Sequence, residues 1–267
     1  QQHRAGEFDP AEVPLNEKNL AYRAAVAMVQ AHRLTVNDLN LHLHIDKAVP
    51  VAGGMAGGSA DAAAALLAVD QYLYEKRLTE RTLGLEELLA LAAPLGADVP
   101  FVVRAAFPLG GLAVGEGTGT ELSIVELPED MIPLDIVLVA ASEGLSTPQV
   151  FSELDEGRAA GRYPEAGELQ VPSGLLHALT QTETPIARIH EIGRQLRNDL
   201  QGPAVTLAPS LETILTMDNE SIVEAFVSGS GPTVAILVED APAADELAAA
   251  LRRRGRHAVA TQTPAML

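Results

Sequence analysis

The sequence predicts an α+β protein in two domains. Helical and strand-like segments are mixed along its 267 residues without the strict β-α-β alternation of a parallel sheet. That length suits one large or two modest domains. Two glycine-rich turns fall in different halves, "AGGMAGG" at 52–58 and "SGSG" at 228–231, and a boundary near residue 128 separates them. The domains expected are 1–128 and 129–267.

Residues 1–17 are polar, carry two prolines and read as loop. "NLAYRAAVAMVQAHRL" has helical spacing of apolar residues from Asn19 to about His32. "LNLHLHID" alternates: Leu39, Leu41, Leu43 and Ile45 point one way, and Asn40, His42, His44 and Asp46 the other, as in a half-buried strand. His42 and His44 read as solvated positions of that strand rather than a metal pair. After the glycine loop, Ala62, Leu66, Val69 and Leu73 recur at helical spacing. "GLEELLALAAPLG" reads as a helix ended by Pro94 and Gly96, and "DVPFVV" as a short strand. "LGGLAVGEGTGTEL" is a loop with strand edges, and "LDIVLVAAS" a central strand. Residues 155–173 form a charged surface excursion, and helical patterns follow near 174–181, 184–197 and 208–217. "EAFVSGSGPTVAILVED" reads as strand, tight turn, strand; "PAADELAAALRRRG" as a capped helix; "HAVATQT" as a last strand.

Apolar residues make up 47% of the chain but aromatics only 3%, so the core is built from Ala, Leu and Val. The formal charge of −18 disfavours nonspecific binding to nucleic acid or anionic membrane. It leaves room for an anionic small ligand held by backbone N–H groups. The absence of Cys excludes disulfides, thiol nucleophiles and Cys-ligated metals. No apolar stretch approaches a membrane span and no signal peptide is visible, so a cytoplasmic protein is expected.

The stretch "PVAGGMAGGSAD" at 50–61 places four glycines directly before a strong helix former. Phosphate needs converging N–H donors with no Cβ in the way, and a helix N-terminus supplies them with a favourable dipole. Gly53, Gly54, Gly57 and Gly58 permit close approach, and Ser59 is expected to cap the helix. The Walker pattern fails because no Lys precedes Ser59, and the Rossmann glycine pattern is not present in its usual form. Asp61, in the first helical turn, reads either as a favourable charge at the dipole or as a neighbour of Mg²⁺.

The larger pattern "IDKAVPVAGGMAGGSADAAAALLAVD" resembles the central ATP-binding motif of the GHMP kinase superfamily. "EKNLAYRAA" at 17–25, "LGADVPF" at 95–101, "NDL" at 198–200 and "SGSGPT" at 228–233 narrow the resemblance to the branch acting on 4-diphosphocytidyl-2-C-methyl-D-erythritol. The resemblance runs from about Asn19 to the C-terminus. It implies a two-domain fold, ribosomal-protein-S5-like in the first half and ferredoxin-like in the second, and an ATP site in the cleft between them. It implies that Pro50, Val51, Ala52, Gly53, Gly54, Met55, Ala56, Gly57, Gly58, Ser59 and Ala60 form the phosphate loop. Asn19 and Lys47 match the adenine side, and Ser228, Gly229, Ser230 and Gly231 match a turn that closes the site. Asp98 matches the catalytic aspartate, and Thr147 a substrate contact. From the residues alone, Asp98 follows a helix end and precedes a strand, where a carboxylate can orient a hydroxyl and take its proton.

The implied reaction is ATP-dependent phosphorylation of the 2-hydroxyl of the cytidine diphosphate-linked methylerythritol, with ATP and Mg²⁺ and no assigned protein metal ligand. Nucleic acid and membrane are not expected partners. Two features depart from the family. Its opening strand, Ala-Lys-[Ile/Val]-Asn-Leu, and its Gly-Tyr-His segment have no counterpart in this sequence, and neither do roughly the first fifty residues of a typical member. A truncated, nearly inactive form is therefore expected. "RAAFPLGG" at 104–111 is longer than the family pattern. Two alternatives stand beside the leading one: a GHMP kinase for another alcohol such as homoserine or mevalonate, and a nucleotide-binding pseudokinase.

Overall fold

The computed structural model describes residues 13–39, 41–47, 53–107, 112–126, 133–141, 144–165, 173–180 and 185–263. The chain divides into two compact units. One comprises Gln1–Val51 and Ala56–Glu126; the other comprises Ala52–Met55 and Leu127–Leu267. The short segment Ala52–Met55 therefore belongs with residues more than seventy positions later in the chain.

The first unit is built on helices α1 (Leu20–Ala31), α2 (Gly57–Glu75), α3 (Leu85–Ala92) and α4 (Val99–Ala105), followed by a hairpin of β1 (Ala113–Glu116) and β2 (Glu121–Ile124). Helix α1 packs along α2. Ala21, Ala24, Ala25, Met28 and Val29 face Ala62, Ala63, Ala65, Leu66, Val69 and Leu73 in one buried cluster. Alanine on both faces lets the two backbones approach closely, which is how a core with few aromatics is filled. Asn19 caps α1, its Oδ1 accepting from Ala21 N–H at 2.9 Å.

Two expectations for this unit are corrected. "DVPFVV" is not a strand but the start of α4. Its Pro100 sits in the first turn, where the missing N–H costs nothing. Val99 and Val103, one turn apart, are fully buried on the same face. Residues 41–47 form no strand, and neither of the sheets among the described residues includes them. Alternation only creates two faces; a strand also needs a neighbour to accept its hydrogen bonds.

The second unit holds a four-stranded antiparallel sheet in the order β4-β5-β3-β6. Its strands are β3 (Asp135–Ala140), β4 (Ile222–Val227), β5 (Thr233–Val238) and β6 (His257–Gln262). This order, with helices between β3 and β4 and between β5 and β6, is the ferredoxin-like arrangement. Every residue of β5 is buried, and β3 pairs on both sides, as a continuous apolar run requires. Helices α5 (Thr147–Ala159), α6 (Ser173–Thr180), α7 (Pro185–Gln195), α8 (Gln201–Leu207) and α9 (Ser210–Leu215) fill the long connection, and α10 (Ala241–Arg253) precedes β6. Helix α5 accounts for the first part of the charged stretch read as an excursion. Asp240 caps α10, its Oδ1 accepting from Ala243 N–H at 2.8 Å.

Candidate functional site

In the first unit the glycine loop leads into α2, whose N-terminus is bare. The cap position is Ala56, in the left-handed conformation (φ 49°, ψ 24°), and no side chain accepts from the first turn. Ser59 is not the cap but the third helical residue, and it is buried. The helix therefore starts three residues earlier than a Ser cap implies, because Gly57, Gly58 and Ser59 are themselves helical. The first-turn N–H groups of Gly57, Gly58 and Ser59 have no acceptor within the helix. A 19-residue helix aims its dipole at that point. Ala60 N–H is the first to bond back, to Ala56 O at 2.9 Å.

Lys47 donates to the Asp61 carboxylate, and the two side chains are only 12% and 28% exposed. Because α2 begins at Gly57, Asp61 is its fifth residue and lies beyond the first turn, where its charge is matched by Lys47. Lys47 and Asn19 line one groove of about 330 Å³, whose walls include Tyr22, Val26, Val29 and Leu43. The side chain of Asn19 is engaged locally, since its Nδ2 also donates to Pro14 O at 2.8 Å. His44 is exposed, with Asp46 Oδ1 3.2 Å from its Nε2, and His42 lies along the groove.

Asp98 occupies the cap position of α4. Its side chain is exposed and makes no capping hydrogen bond. Among the described residues its carboxylate has no hydrogen-bond or ion-pair partner. The segment carrying it is held against α2: a Cβ on Gly96 would come within 3.9 Å of the Ser59 hydroxyl oxygen. On its other side Ala97 meets the hairpin turn, 3.7 Å from where a Cβ on Gly119 would stand. A free carboxylate thus lies on a segment packed beside an uncapped helix N-terminus.

In the second unit Gly54 and the 228–231 turn are in contact. Ser228 Oγ donates to Gly54 O at 2.8 Å. Gly54 has φ +69°, and a Cβ there would lie 2.4 Å from Ser228 O and 2.8 Å from Gly231 O. Only glycine satisfies both conditions. The turn closes through Gly231 N–H to Ser228 O at 2.9 Å, with Gly229 at φ +56°. The Ser230 and Thr147 hydroxyls are 2.8 Å apart, so Thr147 touches this turn. Asn198 and Gln201 also bind it, a function that the sequence did not reveal beyond the bare motif "NDL".

Pro50, Val51 and Ala52 lie outside the described residues, as do 108–111 of the longer segment. Met55 and Ala60 flank the bare turn, the one before the left-handed Ala56 and the other exposed in α2. No group of three or more His, Asp or Glu suited to a metal ion occurs among the described residues. No helix among them is long and apolar enough to cross a membrane.

Comparison with known proteins accords with this geometry. Residues 19–106 match the GHMP kinases N terminal domain and residues 176–257 the GHMP kinases C terminal domain. The 4-diphosphocytidyl-2-C-methyl-D-erythritol kinase of Corynebacterium jeikeium is 42% identical over 97% of this chain and 71% of its own length. That of Streptomyces avermitilis is 41% identical, over 96% and 78% respectively. A crystal structure of 4-(cytidine 5'-diphospho)-2C-methyl-D-erythritol kinase superposes with a TM-score of 0.67 at 29% identity, covering 96% of this chain and 81% of that one. A homoserine kinase from Cytophaga hutchinsonii, 16% identical with a TM-score of 0.62, shares the fold. The bare N-terminus of α2, the glycine turn and the relatives' identity over nearly the whole sequence lead to one conclusion: the chain belongs to the 4-diphosphocytidyl-2-C-methyl-D-erythritol kinase family of the GHMP kinases.

Proposed function

We propose that the chain catalyses transfer of the γ-phosphoryl group of ATP to the 2-hydroxyl of 4-diphosphocytidyl-2-C-methyl-D-erythritol, a step in making isoprenoid precursors by the non-mevalonate route. The observation that carries the reading is the partnerless Asp98 carboxylate on a segment packed against the uncapped start of α2. The N–H groups of Gly57, Gly58 and Ser59 receive phosphate oxygens, with Gly53 to Ala56 as the approach to them. Lys47, held by Asp61, adds a fixed positive charge at the groove, and the apolar wall beside Asn19 and Tyr22 suits a nucleobase. Asp98 orients the acceptor hydroxyl and takes its proton as the phosphoryl group transfers.

Mg²⁺ fits this donor set as a nucleotide-borne ion. It keeps several waters and needs only one or two protein oxygens besides phosphate. The Ser59 hydroxyl in the first turn of α2 would be a protein oxygen for it, and the ion would neutralise charge on the phosphates.

The test uses protein from the complete open reading frame, with ATP and Mg²⁺, and a panel of the cytidine substrate, homoserine and mevalonate. ADP release only with the cytidine substrate is expected. Release with homoserine or mevalonate instead would overturn the substrate, and nucleotide binding without turnover on any of them would overturn the kinase reading.

A further inference from the structure

The four-stranded sheet ends on β6, which pairs with β3 alone among the described residues. Thr263 N–H donates to Leu134 O at 2.9 Å, in the register of that pairing. Antiparallel hydrogen bonding alternates along a strand, so the N–H and C=O of His257, Val259 and Thr261 also face β3. Those of Ala258, Ala260 and Gln262 point to the free edge. The opposite edge of the sheet is closed by side chains. At Val227 of β4, Gln201 Oε1 accepts from the N–H at 3.0 Å and Asn198 Nδ2 donates to the C=O at 2.7 Å. On β6 one such contact occurs among the described residues, from Arg252 to Ala258 O at 2.9 Å, and that oxygen keeps a second lone pair. Val259, midway along β6, is 60% exposed. It lies on the face away from Ala258 and Ala260, which pack with α10.

Charge is segregated along this edge. Arg252, Arg253, Arg254 and Arg256 gather where β6 starts, four of the 18 basic residues in an acidic chain. Among the described residues no acid pairs with Arg253, Arg254 or Arg256. At the other end of β6, Gln262 lies opposite Asp135. Burial raises the Asp135 carboxyl, and Asp240 and Asp245 at the start of α10 lie near enough to add to it. The dipole of α10 favours this distribution of sign. It gives no reason for a bare apolar side chain on an open strand edge between the two charged ends.

We propose that this edge is a homodimer interface, in which β6 pairs antiparallel with β6 of a second copy about a two-fold axis at Val259. The register follows from the edge itself. Residues bond across it only where N–H and C=O point outward, so Ala258 meets Ala260 of the partner subunit, and Ala260 meets Ala258 of the partner subunit. Val259 then faces Val259 of the partner subunit at the close spacing of a non-hydrogen-bonded pair. The same register sets Arg256 opposite Gln262 of the partner subunit, with Asp135 of the partner subunit one strand further in. The basic end of each α10 thereby meets the acidic start of the other. The formal charge of −18 on each copy opposes association at long range. At about 0.15 M salt the screening length is only about 8 Å, so the complementary charges at the contact dominate. The contact is isologous and closes at two copies. It does not depend on the phosphoryl-transfer reading.

The experiment is sedimentation equilibrium of protein from the complete open reading frame, between about 1 and about 100 μM, the range suited to a contact of modest size. A mass rising from one copy to two is expected. Val259→Lys sets two ammonium groups face to face at the axis and should raise the dimer dissociation constant at least about 10-fold. Arg256→Glu should weaken the dimer likewise, and adding Gln262→Arg should recover it, because the two positions face each other across the axis. A monomer mass over the whole range overturns the proposal. So does a dimer that neither Val259→Lys nor Arg256→Glu weakens, since another surface then holds it. Should the variants not fold, hydrogen exchange at the Ala260 amide of wild type decides. Slower exchange at the high concentration than at the low one is expected, and equal rates reject the interface.

Discussion

At the scale of single residues, three positions separate chemistry from support. Asp98 is exposed and makes no capping hydrogen bond, so little folding energy depends on it. Asp98→Asn is expected to retain nucleotide binding and thermal stability while turnover falls by about 10²–10⁴, the scale of a lost acid or base. Steady-state ADP release beside a nucleotide titration measures both, and undiminished turnover would remove Asp98 from the mechanism. Gly54 is the opposite case. Its φ of +69° and the carbonyls 2.4 and 2.8 Å from a would-be Cβ leave no room for alanine. Gly54→Ala should destabilise the second unit by about 2–4 kcal/mol, through backbone strain and overpacking together. Urea unfolding followed at that unit checks it. Asp135 opens β3, and burial raises its carboxyl above the ordinary range, with Asp240 and Asp245 adding repulsion. The folded state therefore binds the proton more tightly than the unfolded one. Stability from this group is present below its unfolded pKa of about 4 and lost as pH rises through the folded value. Asp135→Asn is expected to raise Tm at pH 7, with the gain fading as pH falls through the raised folded value and gone by about pH 4. A Tm difference that stays constant from pH 7 to pH 3.5 would contradict this account.

At the scale of elements, the bare start of α2 is useful only if the rest of that helix is rigid. Its far half is clasped by a buried pair: His32 Nε2 lies 2.7 Å from Asp70 Oδ1, with side-chain exposures of 9% and 5%. The other oxygen, Oδ2, accepts from Leu83 N–H at 2.8 Å. One carboxylate thus ties the C-terminus of α1, the middle of α2 and the approach to α3. Asp70→Ala leaves a buried imidazole and a backbone N–H without their acceptor, and should cost about 2–4 kcal/mol. Asp70→Asn keeps one acceptor oxygen and should cost less. Chemical denaturation of the two variants tests the ranking, and equal stability of both with wild type would show that the clasp carries no energy. The short antiparallel hairpin of β1 and β2 has a different task, meeting Ala97 through Gly119 beside the Asp98 segment.

At the scale of the whole molecule, a formal charge of −18 makes self-repulsion a general term against folding. Ion pairs such as Arg81 with Glu87 lie at the surface and contribute little against it. Raising the ionic strength from about 0.01 M to about 0.15 M shortens the screening length from about 30 Å to about 8 Å. Tm should rise by a few degrees over that range, since repulsion is relieved and few attractive surface pairs are lost. A Tm that falls with salt would mean that surface pairs outweigh the net charge. Against that charge the bare N-terminus of α2 and the Lys47 ammonium are local points of positive potential.

The sequence by itself determined the helices of strong period, the central strands, the ferredoxin-like second half and the family. Apolar spacing and motif order are local properties, so α1, α2, β3, β5 and α10 lie close to where periodicity puts them. The glycine turn and Asp98 stand out through the family resemblance, since alone they read as a β-turn and a loop acid. What the tertiary structure decided are the features that depend on a neighbour. "DVPFVV" is helical because Val99 and Val103 reach one buried face, a choice that six residues cannot declare. "LNLHLHID" alternates like a strand yet pairs with no strand among the described residues, because pairing depends on a second chain segment. Ser59 lies inside α2 rather than at its cap, because Gly57 and Gly58 take helical angles that their freedom allows but does not demand. The partners of Lys47, Gly54 and the 228–231 turn lie 14, 174 and 29 to 31 residues away. Only folding brings such pairs within a hydrogen bond's reach, so Asn198 is one letter of a three-letter motif in the sequence and a clamp on a turn in the structure.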